Sequence, residues 1–161
     1  MDTIAVEAVR TATDEVRRLI DELDRGLGQE YLPEQRHGLS LDAIFQPHVR
    51  FFLARLDGVA VGCAGVALFA TFGEVKRMYV RDRARGRGIA QALLSRIELE
   101  TKNSGLDVLR LETGDRQFAA IRFYERAGFQ RCDAFGQYAS MAPAAIATSV
   151  FFEKRVSAAT P

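Results

Sequence analysis

Six basic side chains, Lys76, Arg77, Arg81, Arg83, Arg85 and Arg87, fall within twelve consecutive positions and are opposed there by the single acid Asp82. Inside this run comes Arg85-Gly86-Arg87-Gly88-Ile89-Ala90, which follows a strand-like segment and opens a helix-like one. A helix start leaves about four backbone N–H groups without intrahelical partners and carries the positive end of the helix dipole. Such a start takes anions, and glycines at 86 and 88 remove the side chains that would hold a diphosphate away from the amides. The run lacks the Gly-Lys-Ser/Thr ending of a P-loop, so no hydroxyl is offered to magnesium. It also lacks the third glycine and the strand order of a dinucleotide-binding unit. A diphosphate held without metal is the chemistry these residues fit, and a solvated helix start with its arginines in water is the competing reading.

Three further residues could move protons. Glu112 stands in an otherwise apolar run, residues 108–113, where an idle carboxylate is costly. Glu74 opens the strand that leads into the glycine loop, and an exposed strand end beside Gly73 is its alternative. Tyr124 shares a helical face with Ile121 and Gly128, which suits either a core aromatic or a proton donor. Cys63 and Cys132 have no CxxC spacing and no histidine near them in sequence, so they read as fillers of core gaps and not as acyl carriers. With only His37 and His48 besides, no zinc cluster of a usual motif can be assembled and no metal is expected. Both histidines read as loop or surface residues.

The elements that must position these groups follow from periodicity. Residues 4–10 alternate like a half-buried strand, and a helix begins after Thr13 and Asp14 and is expected to stop at Gly26 and Gly28. The polar stretch 31–47 holds one short helix around 40–45. Residues 49–56 and 59–69 flank Asp57-Gly58, a dipeptide suited to a type I′ hairpin turn, and 74–80 adds a third strand to the meander. From Gly86 the period becomes helical through Ile89, Leu93 and Ile97 until Ser104-Gly105. A strand at 108–113, a helix at 117–127 and strands at 129–135 and 149–156 complete the order, with a frayed tail at 157–161. The expected architecture is an α/β (α+β) domain with a mixed, mostly antiparallel sheet, centred on one right-handed β-α-β crossover over residues 74–113.

A chain of 161 residues with 48% hydrophobic and 27% charged residues suits one domain, 1–161, able to stabilise itself without disulfides. Its longest apolar stretch, 59–72, is interrupted by Gly62 and Gly65 and is too short to span a bilayer, and Asp2 and Glu7 stand where a signal peptide wants basic residues. The chain reads as cytoplasmic. A net charge of +1 gives no global reason to expect nucleic acid, so any polyanion must be met by the local cluster.

The segment from Val80 through Arg85-Gly86-Arg87-Gly88-Ile89-Ala90 to Leu93-Leu94 resembles motif A of the GNAT superfamily of acetyl-CoA-dependent N-acetyltransferases, Gln/Arg-x-x-Gly-x-Gly/Ala. Ala120-Ile121-Arg122-Phe123-Tyr124-Glu125-Arg126-Ala127-Gly128-Phe129 is similar to the A-x-x-x-Y-x-x-x-G-F helix of the same family. The likeness covers about residues 49–156. It implies a sheet of six to seven strands with about four helices, splayed between the fourth and fifth strands. It further implies acetyl-CoA with its pyrophosphate on the amides of Arg85, Gly86, Arg87, Gly88, Ile89 and Ala90 and its pantetheine along Met78, Tyr79 and Val80. Gln117 stands where the family often has an asparagine that contacts the cofactor, seven positions before the tyrosine; a longer amide can make similar hydrogen bonds.

The reaction implied is direct acetyl transfer to a primary amine of a small molecule or peptide. An alkylammonium of pKa about 10.4 must lose its proton near pH 7, at roughly 4–5 kcal/mol. Glu74 matches the position of the base in histone-acetylating members and Glu112 that in members acting on protein N-termini, with Glu112 favoured; both could act through water. Tyr124 matches the tyrosine that protonates the departing thiolate, and a backbone N–H at 78–80 would meet the oxyanion. The acceptor would be gripped by the N-terminal helices, the 31–47 loop and the 136–149 segment, where Tyr138 is either a pocket or a surface residue. The resemblance admits a homodimer and implies no membrane or nucleic-acid partner. A CoA-binding sensor without catalysis, or a nucleic-acid module built on the arginines, are the rival functions.

Overall fold

The computed structural model describes residues 2–156, so the tail expected at 157–161 lies outside the described residues. Its strands are β1 (Ile4–Val9), β2 (Val49–Leu56), β3 (Val59–Leu68), β4 (Gly73–Val80), β5 (Val108–Gly114), β6 (Gln130–Arg131) and β7 (Ser149–Arg155). The α-helices are α1 (Asp14–Glu30), α2 (Ile89–Asn103), α3 (Phe118–Arg126) and the single turn α4 (Pro143–Ile146). The strands form one mixed sheet in the order β1-β2-β3-β4-β5-β7-β6. Strands β1 to β4 are an antiparallel meander, as the alternating β-rich runs and the Asp57-Gly58 turn require. Asp57 and Gly58 both take positive φ, 49° and 85°, the two left-handed positions of a type I′ turn.

The crossover from β4 through α2 to β5 gives the sheet its one parallel pair. That pairing covers only Gly73 opposite Leu109 and Glu74 opposite Arg110. Beyond Glu74 the two strands diverge, so among the described residues the rest of β4 has no partner strand on its β5 side. Strand β4 is also bulged: Lys76 faces Gly65 and Tyr79 faces Cys63, which leaves Arg77 and Met78 together opposite Ala64. Arg77 takes φ 57° there, an uncommon value for a residue with a side chain and a mark of a bulge that re-aims the strand.

Helix α2 packs Ile89, Leu93, Leu94 and Ile97 on one face of the sheet against Phe52, Ala64, Val66, Leu109 and Leu111, and Ile121 and Tyr124 of α3 join this core. On the other face Val16, Leu19 and Ile20 of α1 cover Phe51, Leu53 and Cys63. A third, aromatic cluster of Phe72, Phe135, Tyr138 and Phe151 closes the β7 end.

Three expectations fail locally. Helix α1 runs through Gly26 and Gly28 to Glu30, because neither glycine adopts the left-handed conformation that ends a helix; the stop comes where the Tyr31 N–H donates to the Leu27 carbonyl. The strand expected at 129–135 is only β6, Gln130–Arg131, since Phe135 turns away into the aromatic cluster and the chain enters a 3-10 turn, Gly136–Ser140. The short helix near 40–45 is a single 3-10 turn, Ala43–Phe45.

Candidate functional site

Where β4 and β5 part, a cavity of about 1010 Å3 opens between α1, α3 and the loop that begins α2. Met78, Tyr79, Val80, Arg85, Gly86, Gly88, Ile89, Ala90, Gln117 and Tyr124 all line it, as do Glu74 and Glu112. Arg87 does not line it: its side chain is half exposed, 3.8 Å from Asp2.

The glycine loop is shaped for close approach. Gly86 and Gly88 take φ of 76° and 86°, where a side chain would be strained, and a Cβ at Gly86 would meet open space. The first α2 hydrogen bond after the loop runs from Ala92 N–H to the Gly88 carbonyl, so the amides of Ile89, Ala90 and Gln91 precede any intrahelical acceptor. With the unpaired β4 edge beside it, this cradle fits a phosphate-bearing thioester cosubstrate such as acetyl-CoA.

The basic cluster is less available than its sequence suggests. Lys76 is buried and donates to Glu74, Arg77 pairs with Asp24, and Arg81 grips Glu22 through Nε and Nη2. Arg77 and Arg81 tie β4 and the residue after it to α1, and Lys76 reaches from β4 to the Tyr138 hydroxyl and the His37 carbonyl. Arg83, Arg85 and Arg87 are exposed, and of the three only Arg85 lines the cavity. Half of the run is therefore engaged with carboxylates of the protein.

Glu74 is not an exposed strand end. It is 3% exposed, and its Oε2 accepts from Lys76 Nζ at 3.0 Å and from the Tyr138 hydroxyl at 2.6 Å. Tyr138 is a buried cavity residue and not a surface aromatic; burial first, then the Glu74 charge, pushes its phenol well above the ordinary range. Glu112 is differently placed. Burial raises its carboxyl above the usual range, against the Ser149 hydroxyl, which donates to Oε2 at 2.6 Å, and against the charges of His37 and Lys76. Tyr124 is 5% exposed, packed edge-on by Phe123 and Phe129, and burial alone pushes its phenol up. Among the described residues nothing hydrogen-bonds its hydroxyl. Tyr79 sends its side chain to Glu22, and burial with that hydrogen bond pushes its phenol up to about 12, so β4 offers the cavity its backbone there.

The 31–47 segment, expected to grip the acceptor, contributes Tyr31, Arg36 and His37, none of which the sequence singles out as a site residue. All three line the cavity from the segment after α1. The Tyr31 hydroxyl accepts from the Arg116 N–H at 2.8 Å, and His37 Nε2 lies 2.7 Å from the Ala145 carbonyl oxygen, which can only accept. Among the described residues no group of three or more His, Cys, Asp or Glu side chains is gathered as a metal site. No helix among them is long and apolar enough to cross a membrane.

The profile of the acetyltransferase (GNAT) family matches residues 13–129. The chain belongs to the GNAT family. It is similar to an IAA acetyltransferase of Azospirillum brasilense, with 41% identity over 140 residues, 86% of this chain and 92% of that one. Among solved structures, a Klebsiella pneumoniae protein assigned as an acyl-CoA N-acyltransferase superposes with a TM-score of 0.77 at 31% identity, over 96% of this chain and 98% of that one. A Thermoplasma acidophilum N-acetyltransferase in complex with coenzyme A shares the fold, with a TM-score of 0.69 at 18% identity over 94% and 99% of the two chains. As a GNAT enzyme the chain is an acetyl-CoA-dependent N-acetyltransferase.

Proposed function

We propose that this GNAT domain transfers acetyl directly from acetyl-CoA to a primary amine, with Glu112 as base and Tyr124 as acid. The observation that carries the reading is their shared cavity. A carboxylate with a raised pKa and a buried phenol whose hydroxyl is unpartnered among the described residues both line the gap between β4 and β5. Acetyl-CoA, when bound, supplies the activated acyl thioester. The α2 amides and the open Gly86 receive its diphosphate, and Arg85 adds charge beside them. The unpaired β4 backbone at 78–80 offers N–H donors to the pantetheine arm and to the acyl oxygen.

Glu112 takes the ammonium proton, directly or through one water, at the oxygen that Ser149 leaves free. A carboxylate whose pKa is raised by burial is a stronger base than an exposed one. Tyr124 returns a proton to the departing sulfur. Glu74 holds Lys76 and Tyr138 in place, with both of their polar heads on one carboxylate oxygen, and so acts as a positioning residue.

The experiment is a thiol-release assay with acetyl-CoA against amino acids, polyamines, aminoglycosides and peptides, run on the native enzyme and on Glu112→Gln and Tyr124→Phe. Turnover that both variants lower by about 10²-fold or more supports the roles. Coenzyme A binding without thiol release from any amine would instead identify a sensor.

A further inference from the structure

The cavity wall that follows α1 carries cationic groups that no carboxylate among the described residues neutralises. Arg36 lines the cavity, and its Nε is buried without a hydrogen-bond partner among the described residues. The side chain lies along the end of α1, where a Cβ at Gly28 would stand 3.7 Å from its Nη1. Its chain neighbour His37 is close enough to Glu112 to favour the charged carboxylate, which puts this wall beside the group that receives the amine proton. Arg116 lines the same cavity from the β5–α3 loop, its backbone N–H on the Tyr31 hydroxyl and its side chain without an ion pair among the described residues.

The contrast with the neighbouring cations is what points to a ligand. Lys76, Arg77 and Arg81 each hold a carboxylate of the protein. Arg36 holds none; its Nε is buried without a partner, as is that of Arg77, so what sets Arg36 apart among the described residues is the lack of any carboxylate. Glu30, also on the lining, is exposed at the end of α1 and makes no ion pair with Arg36 among the described residues. The Arg36 guanidinium, without a carboxylate among the described residues, can take a ligand oxyanion in a charge-assisted, planar hydrogen-bond pair.

We infer that the acceptor is a primary amine bearing a compact oxyanion, a carboxylate or a phosphonate, which Arg36 binds while the amine faces Glu112. This rests on the acetyl-transfer reading above. Arg36 acts in substrate choice and not in the chemical step.

The test compares amino carboxylates and aminophosphonates, beginning with 3-aminopropanoate and 2-aminoethylphosphonate and extending their chain length, with neutral amino alcohols such as 3-aminopropanol. In thiol release, kcat/KM for an anionic acceptor should exceed that of its neutral counterpart by about tenfold or more, and Arg36→Gln should remove most of that ratio through KM. The KM for acetyl-CoA should stay within about twofold. Should Arg36→Gln not fold, Arg36→Lys keeps the charge without the planar fork and is expected to lose part of the same ratio. Equal rates for anionic and neutral amines, or a preference that both Arg36 variants keep, overturn the inference while acetyl transfer stands. No thiol release with any amine overturns both.

Discussion

Glu112 is asked to be buried and ionised at once, and the two demands give opposite signs for stability and activity. Its folded pKa lies above its unfolded value, so its contribution favours the fold at pH below the ordinary carboxylate range and is lost as pH rises through the raised folded pKa. Glu112→Gln should therefore melt at or above the native temperature at pH 7–8, with the gap closing toward pH 4, while kcat falls by about 10²–10⁴-fold. In the native enzyme kcat/KM should climb with pH through that raised pKa; a flat profile through the range would exclude Glu112 as base. Tyr124→Phe removes a hydroxyl that has no protein partner among the described residues, so thermal stability should hold or rise slightly while turnover drops by a similar factor. These two residues were legible because each sits at a fixed offset from a motif. The 31–47 segment and Tyr138 were legible only as regions of the acceptor pocket, and the individual contacts were not, since the partners are remote: Tyr31 meets Arg116 across 85 positions, His37 meets Ala145 across 108 and Tyr138 meets Glu74 across 64. The basic run was over-read for the same reason. Nothing local shows that Arg77 and Arg81 point back to Asp24 and Glu22 on a helix more than fifty positions earlier.

Two elements shape the cavity through one glycine each. Gly88 caps α2 in the left-handed region, so Gly88→Ala should cost about 1–2 kcal/mol in urea denaturation and raise the KM for acetyl-CoA more than that for the amine. Gly114, at the end of β5, is packed under Tyr31, and a Cβ there would overlap the ring and hydroxyl. Gly114→Ala should displace Tyr31 and raise the acceptor KM, with the acetyl-CoA KM little changed in the same assay. Turn chemistry and period gave most element limits to within a residue or two, as at Asp57-Gly58 and at the start of α2. They failed where tertiary contacts override local preference. Leu27 and Tyr31 carry the apolar side of α1 past two glycines, and the aromatic cluster pulls Phe135 off the β7 edge. The bulge at Arg77 has no sequence mark at all, because its cause is the register between β3 and β4.

At the scale of the whole molecule, one sheet separates two cores, and α2 seals the larger. Leu93 is fully buried there, so Leu93→Ala should destabilise the fold by about 2–5 kcal/mol, read from a lower urea midpoint at unchanged slope. The topology was readable because a helix between two β-rich runs permits almost only a right-handed crossover. The second core has an unusual fastening. Helix α1 is tied by Glu15 to Arg55 of β2, by Glu22 to Arg81 just after β4, and by Asp24 to Arg77 in the bulge itself. Three separate points of the sheet thus hold one helix from its first turn to its middle. Its central amides should exchange with deuterium in step with those of β2 and β4, while residues 33–47, held by short turns, exchange much sooner. Adaptation to a different acceptor would then proceed by revising that short segment, with the helix beside it serving as a fixed jamb.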